Sequence, residues 1–125
     1  MIDHVSIGVR DLARAKRFYD AAFRPLGYSV LSESPDQLGY GREQAAFWVG
    51  GAERPVPPDL ESGLHFCFEA PSRAGVDAFH AAALSAGGTD HGAPGLRPAY
   101  GPDYYGAFVI DPDGYRIEAY FGGEA

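Results

Sequence analysis

At 125 residues the chain fits one compact domain with room for a sizeable apolar core. A net charge of −7, with Lys16 as the single lysine, argues against nucleic acid or an anionic membrane surface as partner. No apolar run approaches the roughly 18 residues of a membrane span and no secretory pattern is read at the start, while the lone Cys67 excludes an intrachain disulfide; a cytoplasmic protein is expected.

Residues 2–9 alternate, with Val5, Ile7 and Val9 on one face and His4, Ser6 and Gly8 on the other, the period of a half-buried strand. Asp11 then suits a helix N-cap. Leu12, Ala15, Phe18, Tyr19, Ala22 and Phe23 recur at helical spacing until Pro25 and Gly27 stop the run. Three short strands follow near 28–33, 37–40 and 44–49. A Gly/Pro-rich linker covers 51–62.

The plan then repeats. Leu64, Phe66 and Phe68 face one way, and His65, Cys67 and Glu69 the other; Ser72 caps a helix that ends at Gly87-Gly88. Residues 89–103 are rich in Gly and Pro, so any strand there should be short. The last segment reads as a hairpin, in which Asp111-Pro112-Asp113-Gly114 suits a type I turn closed by a left-handed residue. If Asp111 pairs with Tyr115, then Phe108 faces Glu118, Gly106 faces Tyr120 and Ile110 faces Arg116. Tyr104, Phe108, Arg116, Glu118 and Tyr120 would then share the face turned from the helix, and a slip of one residue would put Tyr105 in place of Tyr104.

Self-similarity at fixed spacing sets the architecture. His4 and His65 lie 61 positions apart, as do Phe18 and Phe79, Ala22 and Ala83, and Gly27 and Gly88. The chain is therefore expected to be α+β, two fused βαβββ units (about 1–50 and 63–125) forming a curled mixed sheet with a central cavity and helices outside. Two histidines at equivalent points, both turned from the helix, together with Glu118, make a set that can hold one divalent cation and leave positions open. Matching Gly50-Gly51 to Gly122-Gly123 sets Trp48 against Tyr120 and Ala46 against Glu118, so the first unit offers no fourth ligand.

The paired units, the strand-borne histidines, the Asp111–Gly114 turn and the Ile117-Glu118 pair resemble the vicinal oxygen chelate superfamily, the glyoxalase/bleomycin resistance/extradiol dioxygenase group, over essentially the whole chain. The resemblance implies metal ligands His4, His65 and Glu118. It also implies a small enzyme, lyase, isomerase or dioxygenase, acting on a molecule that chelates Fe, Mn, Zn or Ni through adjacent oxygens. A metal-free drug-binding protein of the bleomycin resistance kind is the alternative, and a homodimer is expected. Candidates for the general base are Tyr104 and Glu69, with Glu118 behind them should it leave the metal. Trp48, Phe108, Arg116, Tyr120 and Tyr105 are candidates for holding substrate, although aromatics at such positions as often fill a core.

The remaining candidates read more plainly. Arg97 and Tyr100 could form a lid, though residues in such a stretch are mostly loop. Cys67 reads as a small buried hydrophobe. His80 reads as a packing residue, His91 has no evident partner, and the acidic pair Asp111/Asp113 reads as turn chemistry, without the spacing of a calcium loop.

Overall fold

In the computed structural model, which describes residues 1–123, each half of the chain folds as β-α-β-β-β. The first unit holds β1 (Val5–Val9), α1 (Leu12–Phe23), β2 (Ser29–Glu33), β3 (Gln37–Gly41) and β4 (Ala45–Gly51). The second holds β5 (His65–Glu69), α2 (Arg73–Ser85), β6 (Thr89–Leu96), β7 (Tyr105–Ile110) and β8 (Arg116–Phe121). They form two four-stranded mixed sheets, ordered β1-β4-β3-β2 and β5-β8-β7-β6. In each, the first strand pairs parallel with the last and the other pairings are antiparallel.

Local chemistry accounts for the element boundaries. Asp11 Oδ1 accepts the Arg14 N–H at 3.0 Å and Ser72 Oγ accepts the Gly75 N–H at 3.0 Å, so both helices are capped as their sequences suggest. Pro25 converts the end of α1 into a short 3-10 turn over Arg24–Leu26, and Gly27, at φ +84°, lets the chain turn away. Among the described residues no helix is long and apolar enough to cross a membrane.

The helix-facing sides of both sheets share one core. Phe23 on α1 lies 4.8 Å from Phe68 on β5, and Phe47 on β4 lies 5.1 Å from the same ring (centroid distances), so aromatic packing welds the units. The β7–β8 turn adds a polar weld. Tyr19 donates to Asp111 Oδ2 at 2.6 Å, Tyr115 to the Gly8 carbonyl at 2.7 Å, and Arg14 pairs with Asp113 at 3.2 Å. The hairpin register is the expected one: Gly106↔Tyr120, Phe108↔Glu118 and Ile110↔Arg116. Gly114 takes φ +100° and donates its N–H to the Asp111 carbonyl at 3.0 Å, closing the turn.

Two expectations need correction. The segment predicted to hold at most a short strand forms β6, which is eight residues long. It is an edge strand, so its Gly and Pro residues break the register at Asp90/Gly92 and Gly92/Gly95 without ending the pairing to β7. The equivalence of Trp48 with Tyr120 also fails. Ser6 pairs with Trp48 where Cys67 pairs with Glu118, so the position answering Glu118 is Trp48, not Ala46. The sheet register, unlike the terminal glycine pairs, is fixed by the parallel ladder. The first unit still offers no carboxylate there.

Candidate functional site

The open face of the second sheet carries a cleft of about 570 Å³. His65 begins β5, Glu118 lies on β8, Phe108 on β7, and Tyr104 just before β7; all four line it. Glu118 is buried at 3% side-chain exposure, whereas His65 keeps 44%. His65 Nε2 stands 3.3 Å from Glu118 Oε1, while Tyr104 donates its hydroxyl proton to Glu118 Oε2 at 2.5 Å. The buried carboxylate is therefore engaged on both oxygens. Gly106 leaves the room: a Cβ there would stand 3.3 Å from both Glu118 Oε2 and Tyr104 Cε1.

Tyr104 is clamped from behind by Tyr120, stacked with centroids 4.6 Å apart. Desolvation, then the bond to Glu118, holds its hydroxyl well above the ordinary tyrosine pKa, so at neutral pH it acts as a donor rather than a base. Cys67 is exposed beside it, its Sγ 3.8 Å from the Tyr104 oxygen, and is not the buried hydrophobe its type suggests. Desolvation of the thiol, then the charge of Glu118, pushes it up to about 12, so it stays protonated.

The face of the first sheet carries a smaller cleft of about 280 Å³, lined by Asp3, His4, Ser6, Gln37, Ala45 and Trp48. His4 sits just ahead of β1, 54% exposed, with Nδ1 2.8 Å from the carboxylate of Asp3. Trp48 packs against Gly39, whose missing side chain makes the space: a Cβ would stand 2.7 Å from the indole. Within one chain His4 is thus apart from His65 and Glu118. Each histidine belongs to its own sheet, and the sheets join through their helix sides. Among the described residues no three His, Cys, Asp or Glu side chains converge to hold a metal. The donor chemistry of His65 and Glu118 suits two adjacent ligands of one cation.

A model of the Glyoxalase/Bleomycin resistance protein/Dioxygenase superfamily matches residues 1–119. The chain belongs to this superfamily. A solved glyoxalase/bleomycin resistance protein from Albidiferax ferrireducens T118 is 34% identical, with 95% of this chain and 97% of that one covered and a TM-score of 0.84. A glyoxalase/bleomycin resistance protein/dioxygenase family enzyme from Burkholderia phytofirmans PsJN (18% identity, 98% of each chain, TM-score 0.74) shares the fold. So does the fosfomycin resistance protein FosX from Mesorhizobium loti (17% identity, 98% of this chain and 92% of that one, TM-score 0.70). Among curated proteins no relative matches.

On this glyoxalase-superfamily frame the other candidates fall into place. Phe108 and Arg116 line the cleft with His65 and Glu118. Tyr120 supports Tyr104 from behind, and Trp48 belongs to the first-sheet cleft. Glu69 is exposed further along β5 and lines neither cleft; its backbone carbonyl accepts from Tyr28 at 2.8 Å. Tyr105 does not stand in for Tyr104. It lies on the opposite side of β7, donating to Asp77 on α2 at 2.6 Å beneath Arg73, because alternate strand residues point to opposite faces. His80 pairs with Asp90 at 2.9 Å, outside the site. Sequence reasoning missed His91, which β6 brings to the cleft, and undervalued Tyr100, which lines it edge-on to Tyr104 at 5.2 Å. Recognising β6 as the partner of β7 would have found both.

Proposed function

We propose that this superfamily member is a small metal-dependent enzyme of the glyoxalase/dioxygenase type, acting on a small molecule that offers two adjacent oxygens. The observation that carries this is the 3.3 Å approach of the part-exposed His65 Nε2 to Oε1 of the buried Glu118 on the neighbouring strand. Tyr104 fixes the other carboxylate oxygen, which is how a supporting group orients a ligand. The third ligand would be His4 of a second copy, in a homodimer where the first-sheet cleft of one protomer faces the second-sheet cleft of the other. The rims favour such a contact. Ile2 is 78% exposed next to Asp3 and His4, and Leu64, Leu96 and Tyr100 are exposed near the other cleft.

A divalent ion held there would supply Lewis-acid stabilisation of an enolate or alkoxide on the substrate. The chain's own residues do the rest: Phe108 and Tyr104 wall the substrate in, Arg116 draws in negative charge, and Tyr104 keeps Glu118 in place. Nitrogen and oxygen ligands accept Fe, Mn, Zn or Ni. Metal analysis of the purified protein tests the reading. About one equivalent per chain is expected, lost in His4→Ala, His65→Ala and Glu118→Ala. Metal content that survives the last two substitutions overturns it.

A second reading, a ligand-holding protein without turnover, draws on another feature. A largely apolar cleft of about 330 Å³ opens at the seam of the units, between Tyr28, Phe47, Phe66 and Cys67. Protein that takes up no divalent ion yet binds an aromatic ligand favours that reading.

A further inference from the structure

The cleft of the second sheet is less acidic than the chain around it: counting histidines as neutral, Arg116 balances Glu118. Against a net −7, it is lined by Arg116, His91 and His65 with one carboxylate, Glu118, already held by His65 and Tyr104. Arg116 pairs with no carboxylate among the described residues; its Nε donates to the Leu64 carbonyl at 3.1 Å, which leaves the two terminal nitrogens of the fork to a ligand. A second guanidinium stands close by. Arg97 lies over the Phe108 ring, 5.6 Å from its centroid, and its Nη2 donates to the Ala93 carbonyl at 2.7 Å. The backbone is shaped for it: a Cβ on Gly95 would stand 3.2 Å from Nη1, and one on Gly92 3.4 Å from Nη2. Arg97 itself does not line the cleft; beside Arg116 the walls are aromatic, formed by Phe108, Tyr104 and Tyr100.

A guanidinium fork beside aromatic faces suits a flat ligand that carries an oxyanion. We propose that this cleft binds a planar aromatic carboxylate, with its ring against Tyr104 and Phe108 and its carboxylate on Arg116. The inference rests on the site of the preceding section and names its substrate class. A carboxylate matches the guanidinium fork in charge and in its paired oxygens. A neutral ring would desolvate Arg116 without giving it a partner, and a saturated acid would forgo the stacking. An acidic surface elsewhere repels anions, so the open fork of Arg116 is where one can settle.

The test titrates the full-length protein calorimetrically with 2-naphthoate, 2-naphthamide and decahydro-2-naphthoate, first stripped of metal with EDTA and then with Mn²⁺, Fe²⁺, Zn²⁺ or Ni²⁺ added. In stripped protein, naphthoate should bind about tenfold or more tighter than either analogue. Arg116→Ala should abolish that preference and Arg54→Ala, in the exposed linker, should leave it. Arg116→Gln, neutral and of similar length, replaces the alanine variant should that one fail to fold. Equal binding of naphthoate and naphthamide overturns the proposal. So does a preference that survives loss of Arg116, or an Arg116→Ala protein that binds naphthoate normally but no longer self-associates. An Arg116-dependent preference in protein that takes up none of Mn²⁺, Fe²⁺, Zn²⁺ and Ni²⁺, each added in turn, sinks the metal-enzyme reading and keeps this one; uptake of any of them without the preference does the reverse.

Discussion

Glu118 has two oxygens with two tasks, one toward His65 and one held by Tyr104. Removing the Tyr104 hydroxyl leaves a buried carboxylate oxygen without its donor and lets the group rotate. Tyr104→Phe is therefore expected to weaken divalent-metal binding by about tenfold or more, and to lower stability by no more than about 1–3 kcal/mol, the cost of one lost buried hydrogen bond, because the ring can still stack on Tyr120. Metal titration beside a thermal melt checks both halves, and unchanged metal affinity would remove Tyr104 from the site. In the first unit the position answering Glu118 is Trp48, seated on Gly39. Gly39→Ala puts a methyl 2.7 Å from the indole and 2.9 Å from Ala45 Cβ, so about 1–3 kcal/mol of stability should go. Because Trp48 is the sole tryptophan, its fluorescence reports the displacement directly.

At the scale of elements, the β7–β8 turn is the joint of the molecule, and Asp111 is its buried centre at 4% exposure. It accepts from Tyr19 and from the backbone N–H groups of Asp113 and Tyr115, but burial outweighs these bonds and raises its pKa above the ordinary 3.8. A raised carboxyl favours the folded state most when protonated, and that advantage fades as pH climbs from 3.8 through the folded value. Compared with Asp111→Asn, which cannot titrate, the native protein should gain stability on acidification across that window. Parallel urea melts at several pH values measure it; a constant difference would show that Asp111 is not desolvated. This turn was legible because Pro, Asp and Gly each do one local job there, and the alternation of β1, β5 and β8 and both helix caps were legible for the same reason. β6 was not, since Gly92, Pro94 and Gly95 erase the period that marks a strand. Its existence depends on β7 beside it, and its glycines answer to the Arg97 side chain. With β6 went His91.

For the whole molecule, repeat spacing suggested that two equivalent histidines meet, but it could not say whether they meet within one chain. The answer depends on which sides of the sheets join, and that is decided by the aromatic contacts Phe23–Phe68 and Phe47–Phe68, far apart in sequence. They bury the helix sides together and leave His4 and the His65–Glu118 pair in separate clefts. A site spanning two copies makes a distinctive demand on mixtures. His4→Ala and Glu118→Ala homodimers would each lack a complete site. A heterodimer of the two would place the intact His4 of one protomer against the intact His65 and Glu118 of the other, leaving its second site doubly damaged. After unfolding and refolding an equimolar mixture with random pairing, about a quarter of the native metal capacity should return, although neither parent has any. A site closed within single chains would return nothing at any mixing ratio, because every chain in the tube would still lack one ligand.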